Sequence, residues 1–428
     1  MATFDLTPLS ALFLLFTLGY VFALAYIALI ERRHSRHEGA STDHVYSLLV
    51  PARNEEAVLE TCLEGLLSLD YPQDRFEILV IDDNSDDATG DIAARCAATH
   101  PDRVRVLRVS GAESRQGKAS ALNCGYRVLR ETSRFRDDPT WIIGVFDADG
   151  APDRDMLGKA SCQFRNPSVG GIQAAVRIRN RAVSWLTRMQ DVEFVGFARM
   201  TQIIRTRLTR SASLGGNGQF VRAAALEDIV LDPERLLYWD PRALTEDLEL
   251  STRLALRNWD MYQLDTSRVW QEGVEDLRSL MRQRTRWAWG SIQVFAEYVV
   301  LMRILRTPDV QLRKRVDLLF NLSMFLVSPL VLVTWILSAV SFTGILSVAS
   351  AFPGSAMLLL SFGYFPVVGY GLLTSEGYSW RRLPTDLIGF AIYTYHWVPC
   401  LYIGLWHVAA RHAPLWWKTS RVTDRSAG

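Results

Sequence analysis

The chain has 428 residues, enough for two or three domains and a full core, with 49% apolar residues and a formal net charge of +1. That balance gives no basic stripe for nucleic acid and no global field for an acidic polymer, so neither is expected as a partner. The five cysteines are scattered without CxxC spacing, which offers neither a disulfide framework nor a zinc site and suits a reducing cytosolic face.

In chain order, Pro8 to Ile30 comes first and carries no charge. It is long enough for a membrane helix of about 20 residues, and too long for a signal-peptide core of about 7–15 residues. The basic flank Glu31-Arg32-Arg33-His34-Ser35-Arg36-His37 places the N-terminus outside and the middle of the chain in the cytosol. Residues from about 44 to 312 then alternate between strand and helix patterns. Strands are expected at Tyr46–Val50, Phe76–Ile81, Val104–Val109 and Trp141–Phe146. Helices are expected at Asn54–Leu69, Thr89–Ala98, Lys118–Leu129 and Leu248–Leu256. This alternation predicts an α/β domain with a mostly parallel sheet. A second apolar block follows Arg313-Lys314-Arg315, with candidate spans at Leu318–Val340 and Met357–Leu373. A last apolar stretch runs from Leu387 to Ala410. Three C-terminal spans would put the tail outside, yet Arg411, Lys418 and Arg421 make it basic, so one segment is expected either to be interfacial or to break the rule.

The chemistry gathers in acidic clusters. Asp82-Asp83 ends one predicted strand, where open α/β sheets place ligands, and a carboxylate there can accept a uracil imide N–H or a ribose hydroxyl. The alternative is a helix-capping turn. Asp147 and Asp149 end another strand at a spacing that turns both carboxylates to one pocket. Bare, two such charges repel by about 4 kcal/mol at 4 Å and an effective dielectric near 20. Mg²⁺ or Mn²⁺ held with substrate phosphates removes that penalty. Lys118, at a helix start, is a point charge suited to phosphate or to an acidic partner. No histidine lies between His100 and His396, so acid–base work in the middle region falls to a carboxylate. Asp247, in Thr245-Glu246-Asp247, is the candidate base, with Thr245 a candidate helix cap. Gln283, Arg286 and Trp287 share one helix face. Arg284 and Arg286 can meet a pyrophosphate, and Trp287 can stack on a sugar, unless this is simply a basic interfacial helix.

Five stretches in order, Val50-Pro51-Ala52-Arg53-Asn54-Glu55, Ile81 to Ser85, Phe146 to Asp149, Thr245 to Leu248 and Gln283 to Trp287, resemble the membrane-bound branch of the family 2 glycosyltransferases. That branch includes glucosyldiacylglycerol synthases and the cellulose, hyaluronan and poly-N-acetylglucosamine synthases. Gly216 to Arg222 and Gln271-Glu272-Gly273-Val274 look more like the glycolipid enzymes, whereas Ala288-Trp289-Gly290-Ser291 departs from their usual Glu-Gly-Gly. The resemblance implies a GT-A fold, an inverting reaction and a UDP-sugar donor held by Pro51, Arg53, Glu55, Asp82, Asp83, Lys118 and Asp147. Asp147 and Asp149 would hold Mg²⁺ or Mn²⁺, and Asp247 would be the base. Glu246, Gln283, Arg284, Arg286 and Trp287 would meet diphosphate and acceptor. The acceptor would be a diacylglycerol-like membrane lipid or, alternatively, a growing glycan. A non-catalytic nucleotide-sugar-binding membrane protein is a third reading, opposed by the intact acids in all three clusters. The implied layout is a transmembrane helix and basic flank over 1–43, a nucleotide-sugar half over 44–150 and an acceptor half with an interfacial QxxRW helix over 151–312. C-terminal membrane helices and a basic tail would fill 313–428. The protein would sit in the plasma membrane with its catalytic domain in the cytosol.

Overall fold

The computed structural model describes residues 39–326 and 363–412, with a few isolated positions outside them. Its centre is an eight-stranded sheet: β1 (Val45–Ala52), β2 (Phe76–Asp82), β3 (Val104–Arg108), β4 (Trp141–Val145), β5 (Ala151–Pro152), β6 (Val169–Ile178), β7 (Gln219–Arg222) and β8 (Asp260–Gln271). The spatial order is β3-β2-β1-β4-β7-β6-β8-β5. The first four strands pair in parallel, as the strand–helix alternation requires. The expectation of a mostly parallel sheet fails in the second half. There β7 runs antiparallel to both β4 and β6, β5 runs antiparallel to β8, and only β6–β8 is parallel. The sheet is therefore mixed. β7 follows a long helical excursion rather than a single crossover helix, so nothing obliges it to enter parallel.

The longer helices of the sheet domain are α1 (Leu59–Leu67), α2 (Thr89–Thr99), α3 (Lys118–Thr132), α4 (Met156–Phe164), α5 (Trp185–Val192), α6 (Arg199–Leu208), α7 (Glu246–Leu256), α8 (Leu277–Phe295) and α9 (Leu312–Ser323). Both faces of the sheet are covered, which is why its strands read as continuous apolar runs. Leu49, Leu79, Ile81, Ile143 and Val145 pack with Leu122 of α3 and Leu250 and Leu254 of α7. Leu48, Val50, Ile78, Val80 and Ile142 pack on the other side with Leu59, Leu63 and Leu66 of α1, Ile92 of α2 and Met156 of α4. α1 starts later than its apolar spacing suggests, because Asn54 takes a left-handed backbone (φ 54°) and turns the chain first.

Three further helices, α10 (Phe365–Leu373), α11 (Leu383–Thr394) and α12 (Trp397–Ala409), pack on this domain. α10 and α11 join a cluster with Met189 and Val192 of α5 and Val195 of the wide π-helical turn Glu193–Ala198. α12 lies along α8, so close that a Cβ on Gly404 would come within 3.0 Å of the Trp289 backbone nitrogen. Buried polar pairs tie these helices down. Arg188 meets the Asp386 carboxylate with two bonds of 2.7 Å, and the Tyr378 hydroxyl donates to Asp191 at 2.8 Å.

Among the described residues no helix is long and apolar enough to cross a membrane. The Leu387–Ala410 stretch is two helices of 12 and 13 residues broken at Tyr395-His396. At 1.5 Å per residue each falls short of a hydrocarbon core of about 30 Å. Much of the QxxRW helix α8 is buried. One of its faces meets the cleft, and Ala288 and Ile292 pack with Cys400 and Leu401 of α12. All of Pro8–Ile30 but Gly19 lies outside the described residues, as do parts of Leu318–Val340 and of Met357–Leu373.

Candidate active site

The loops after β1, β2 and β4 leave the same edge of the sheet, because Ala52 is in register with Asp82 and Leu49 with Val145. They open onto a cavity of about 400 Å³ that α3, α7 and α8 close from the other side. Twelve of the sequence-derived residues line it: Pro51, Arg53, Glu55, Asp83, Lys118, Asp147, Asp149, Glu246, Asp247, Gln283, Arg286 and Trp287. Asp82 and Arg284 do not.

The two neighbouring acids after β2 divide their work. Asp82 is buried, and its Oδ1 accepts the Ser85 N–H at 2.9 Å while Arg108 approaches its Oδ2 at 3.7 Å. It holds the loop, and the helix that follows starts only at Thr89 with Ala88 at its N-cap position. Asp83 faces the cavity, with Oδ1 accepting the Arg115 N–H at 2.7 Å. Burial pushes the Asp83 carboxyl up, and that N–H opposes it. The loops after β1 and β2 interlock: Asn54 donates its N–H to Ser85 Oγ at 3.0 Å, and its side-chain oxygen accepts the Asp86 N–H at 2.8 Å.

Lys118 opens α3 after Gly117, whose φ of 99° is available to glycine at little cost. Its ammonium bonds Asp147 Oδ1 at 2.5 Å and stands 3.7 Å from Glu246. Burial disfavours the charge, yet Asp147 and Glu246 outweigh it and raise the lysine's pKa, so Lys118 remains a cation. Asp149 is buried beside the Glu272 N–H, 3.4 Å from Oδ2. Asn217 accepts the Asp147 N–H at 3.2 Å and donates to Gln271 at 3.0 Å, so the Gly216 and Gln271 stretches brace the acidic turn.

Asp247 sits in the first turn of α7. Its Oδ1 accepts the Leu248 N–H at 2.7 Å, which leaves Oδ2, on the Gly216 side, as the oxygen placed to take a proton. Burial and the adjacent Glu246 carboxylate push this carboxyl up to about 7, against the pull of Lys118. Gly216 (φ 82°) creates the space: a Cβ there would fall 3.1 Å from Asp247 Oδ2 and 3.0 Å from Lys118 Nζ. Thr245 occupies the N-cap position of α7 without a capping bond from its side chain. Instead it lies against α8, where a Cβ on Gly290 would come within 2.6 Å of its Cγ2 and 2.9 Å of its nitrogen. Gly290, the one residue of this stretch that keeps the glycolipid Glu-Gly-Gly pattern, is thus what lets the QxxRW helix reach Thr245-Glu246-Asp247.

Arg284 needs correcting. It is 1% exposed and donates to Glu193 Oε2 at 2.6 Å and toward the Tyr393 hydroxyl at 3.4 Å. One residue from Thr285 and two from Arg286, it falls on the far face of α8, so it serves packing rather than diphosphate. Its guanidinium lies 4.0 Å from the Trp287 ring centre, backing the residue that does face the cavity. Phe194 and Trp397 also line the cavity and were not legible in the sequence. Each sits in an apolar run that reads equally well as core, and neither belongs to a motif.

The acids at the strand ends, the buried cation beside them and a carboxylate poised near neutrality suit removal of a group from a nucleoside diphosphate onto an incoming hydroxyl. The fold that carries them is the α/β GT-A type with a mixed sheet. The chain belongs to the glycosyltransferase-like family 2, which matches residues 44–290. It is 34% identical over 366 residues to the beta-monoglucosyldiacylglycerol synthase of Synechocystis sp., covering 82% of this chain and 69% of that protein. To the beta-monoglucosyldiacylglycerol synthase of Trichormus variabilis it is 37% identical over 281 residues, 66% of this chain and 54% of that protein. The chain thus spans about half the length of the second relative. Among solved structures, a mannosyltransferase from Pyrobaculum calidifontis in complex with GDP-Man and Mn²⁺ aligns with a TM-score of 0.56 and 22% identity. It covers 90% of this chain and 98% of its own, a likeness of fold.

Proposed function

We propose that this protein is an inverting glycosyltransferase that moves a hexose from a UDP-sugar to the hydroxyl of a diacylglycerol-like membrane lipid. The observation that carries the reading is Asp247, a carboxyl held near neutrality on the wall of the cleft that faces the strand-end acids. Asp83 accepts the imide N–H of the base. Arg53, Glu55 and Lys118 surround the ribose and diphosphate. Asp147 and Asp149 fit a divalent cation: both carboxylates line the cavity, and Mg²⁺ or Mn²⁺ takes one or two carboxylates together with substrate phosphates. No group of three or more candidate ligands occurs among the described residues, so the nucleotide would complete the coordination. Such an ion neutralises charge on the leaving diphosphate.

The chain's own residues do the rest. Asp247 Oδ2 takes the proton from the acceptor hydroxyl as its oxygen bonds to the anomeric carbon. The bond from that carbon to the phosphate oxygen breaks, and UDP leaves with the electron pair. Arg286 and Gln283, on the face of α8 that lines the cavity, meet that developing charge. Trp287 bounds the acceptor side. A membrane location is supported by exposed apolar side chains on the short helices, among them Ile388 (60% exposed), Ile392 (62%) and Trp406 (66%), a pattern suited to a bilayer surface.

The test is transfer by purified protein in detergent–lipid micelles with diacylglycerol, Mg²⁺ and a panel of radiolabelled UDP-sugars, with products resolved on thin-layer plates. A discrete lipid-soluble product is expected and identifies the sugar. Label confined to high-mass, glycosidase-sensitive material would replace the glycolipid reading with a polymer synthase.

A further inference from the structure

Trp397 opens α12, more than a hundred residues beyond the stretch that matches the family, yet its side chain lines the same cavity as Asp247. Two other rings line that cavity, Trp287 of α8 and Phe194 of the π-helical turn that continues α5. Phe194 stands edge-on to Trp287 at 6.5 Å between ring centres and 81° between planes. Behind all three lies Arg284, its guanidinium carbon 4.0 Å from the Trp287 ring centre, 5.5 Å from Trp397 and 5.8 Å from Phe194. Glu193 locks the arrangement. One of its oxygens accepts from Arg284 at 2.6 Å and from the Tyr393 hydroxyl at 3.0 Å, and the other accepts the Trp397 indole N–H at 3.0 Å. Wide turns of this kind inside helices are frequent at functional sites. Here the insertion turns Glu193 toward the frame and its neighbour Phe194 toward the cavity.

We infer that Trp397, Phe194 and Trp287 form the acceptor slot, and that it grips the glycerol-proximal, apolar part of a lipid acceptor; the assignment rests on the function proposed above. The chemistry favours an apolar occupant over a terminal sugar. Phe194 has no polar atom, and the one donor of Trp397 is already spent on Glu193. The chain just before Trp397 also carries Ile392 and Tyr395, 62% and 40% exposed, so the slot's third wall belongs to the short helices that present apolar surface. Trp397 is then a specificity residue, while Arg284 and Glu193 are positioning residues that act through the rings.

The experiment is steady-state kinetics of W397A and W397F in mixed micelles, varying diacylglycerol at fixed UDP-sugar and the reverse, with thermal melts recorded alongside. Removing one buried aromatic contact should raise the KM for the lipid roughly tenfold in W397A, with the KM for UDP-sugar unmoved. W397F keeps the ring but loses the bond to Glu193 and should fall between. An unchanged lipid KM in both folded variants overturns the slot, as does a parallel rise in both KM values. So does better transfer to a sugar-terminated lipid than to diacylglycerol, with W397A raising the KM for that acceptor. If the wild type makes no lipid product while still releasing UDP, the functional reading falls first and the lipid slot with it.

Discussion

At the scale of single residues, the site is a contest among charges. In the proposed mechanism Asp247 must be ionised to accept a proton, and burial beside Glu246 pushes its pKa up to about 7 while Lys118 restrains it. Because the base works deprotonated, kcat/KM should rise with pH and show an acid limb at or below about 7, falling about tenfold per unit beneath it. Glu246 raises the Asp247 pKa, so Glu246→Gln should move that limb to lower pH, read from pH–rate profiles; a limb that stays put removes Glu246 from the tuning. The two arginines of α8 should separate cleanly. Arg284→Met leaves Glu193 facing a buried gap and should cost on the order of 3–5 kcal/mol, visible as a lowered Tm. Arg286→Met should leave Tm near wild type and depress turnover. Equal effects of both variants on Tm would contradict the assignment of one to the frame and one to the cleft.

Among the elements, the decisive contact is α8 against the start of α7. A methyl on Gly290 collides with Thr245 side chain and backbone alike. Gly290→Ala should therefore cost about 1–3 kcal/mol through overpacking and reduce activity by displacing Asp247 or the Gln283–Trp287 face, measured by melting and turnover. A fully active, fully stable variant would show that the two helices need not touch so closely. The same scale explains what the sequence made legible. In the first half, strands and helices sit within a few residues of their expected places, since each apolar run is local and ends on a turn residue or an acid. The acids at the ends of β2 and β4 could be placed for the same reason. The roles of β6, β7 and β8 depend on long-range pairing, which no local period announces. Arg284 looked like its neighbour Arg286 because both are cations in one short motif, and only the rotation of the helix separates them. Trp397 and Phe194 carried no signal, because an aromatic in an apolar run is ordinary core until the opposite wall is known. The Leu387–Ala410 stretch is divided at Tyr395-His396 into two helices docked on the sheet domain, a break that hydropathy does not register, and Asp386 just before it pairs with Arg188.

For the whole molecule, the helices beyond residue 363 complete the catalytic domain rather than decorate it. Asp386 pairs with Arg188, the Tyr378 and Tyr393 hydroxyls donate to Asp191 and Glu193, and Trp397 lines the cavity. A chain ending at residue 326 leaves Arg188 without the Asp386 carboxylate and strips the tyrosine and indole hydrogen bonds from Asp191 and Glu193. It should lose cooperative melting and lipid transfer together, and retention of both would show that the sheet domain is autonomous. Chelation belongs at this scale too. EDTA should abolish transfer and Mg²⁺ or Mn²⁺ restore it, and full activity in chelated protein would remove the cation from Asp147 and Asp149. The most direct measurement compares wild type with Asp247→Asn, recording UDP-sugar affinity by calorimetry and transfer to diacylglycerol under single-turnover conditions. The account predicts donor affinity within a few-fold of wild type and a transfer rate lower by roughly 10²–10⁴, the usual worth of a general base. Transfer by the folded variant at the wild-type rate would contradict it.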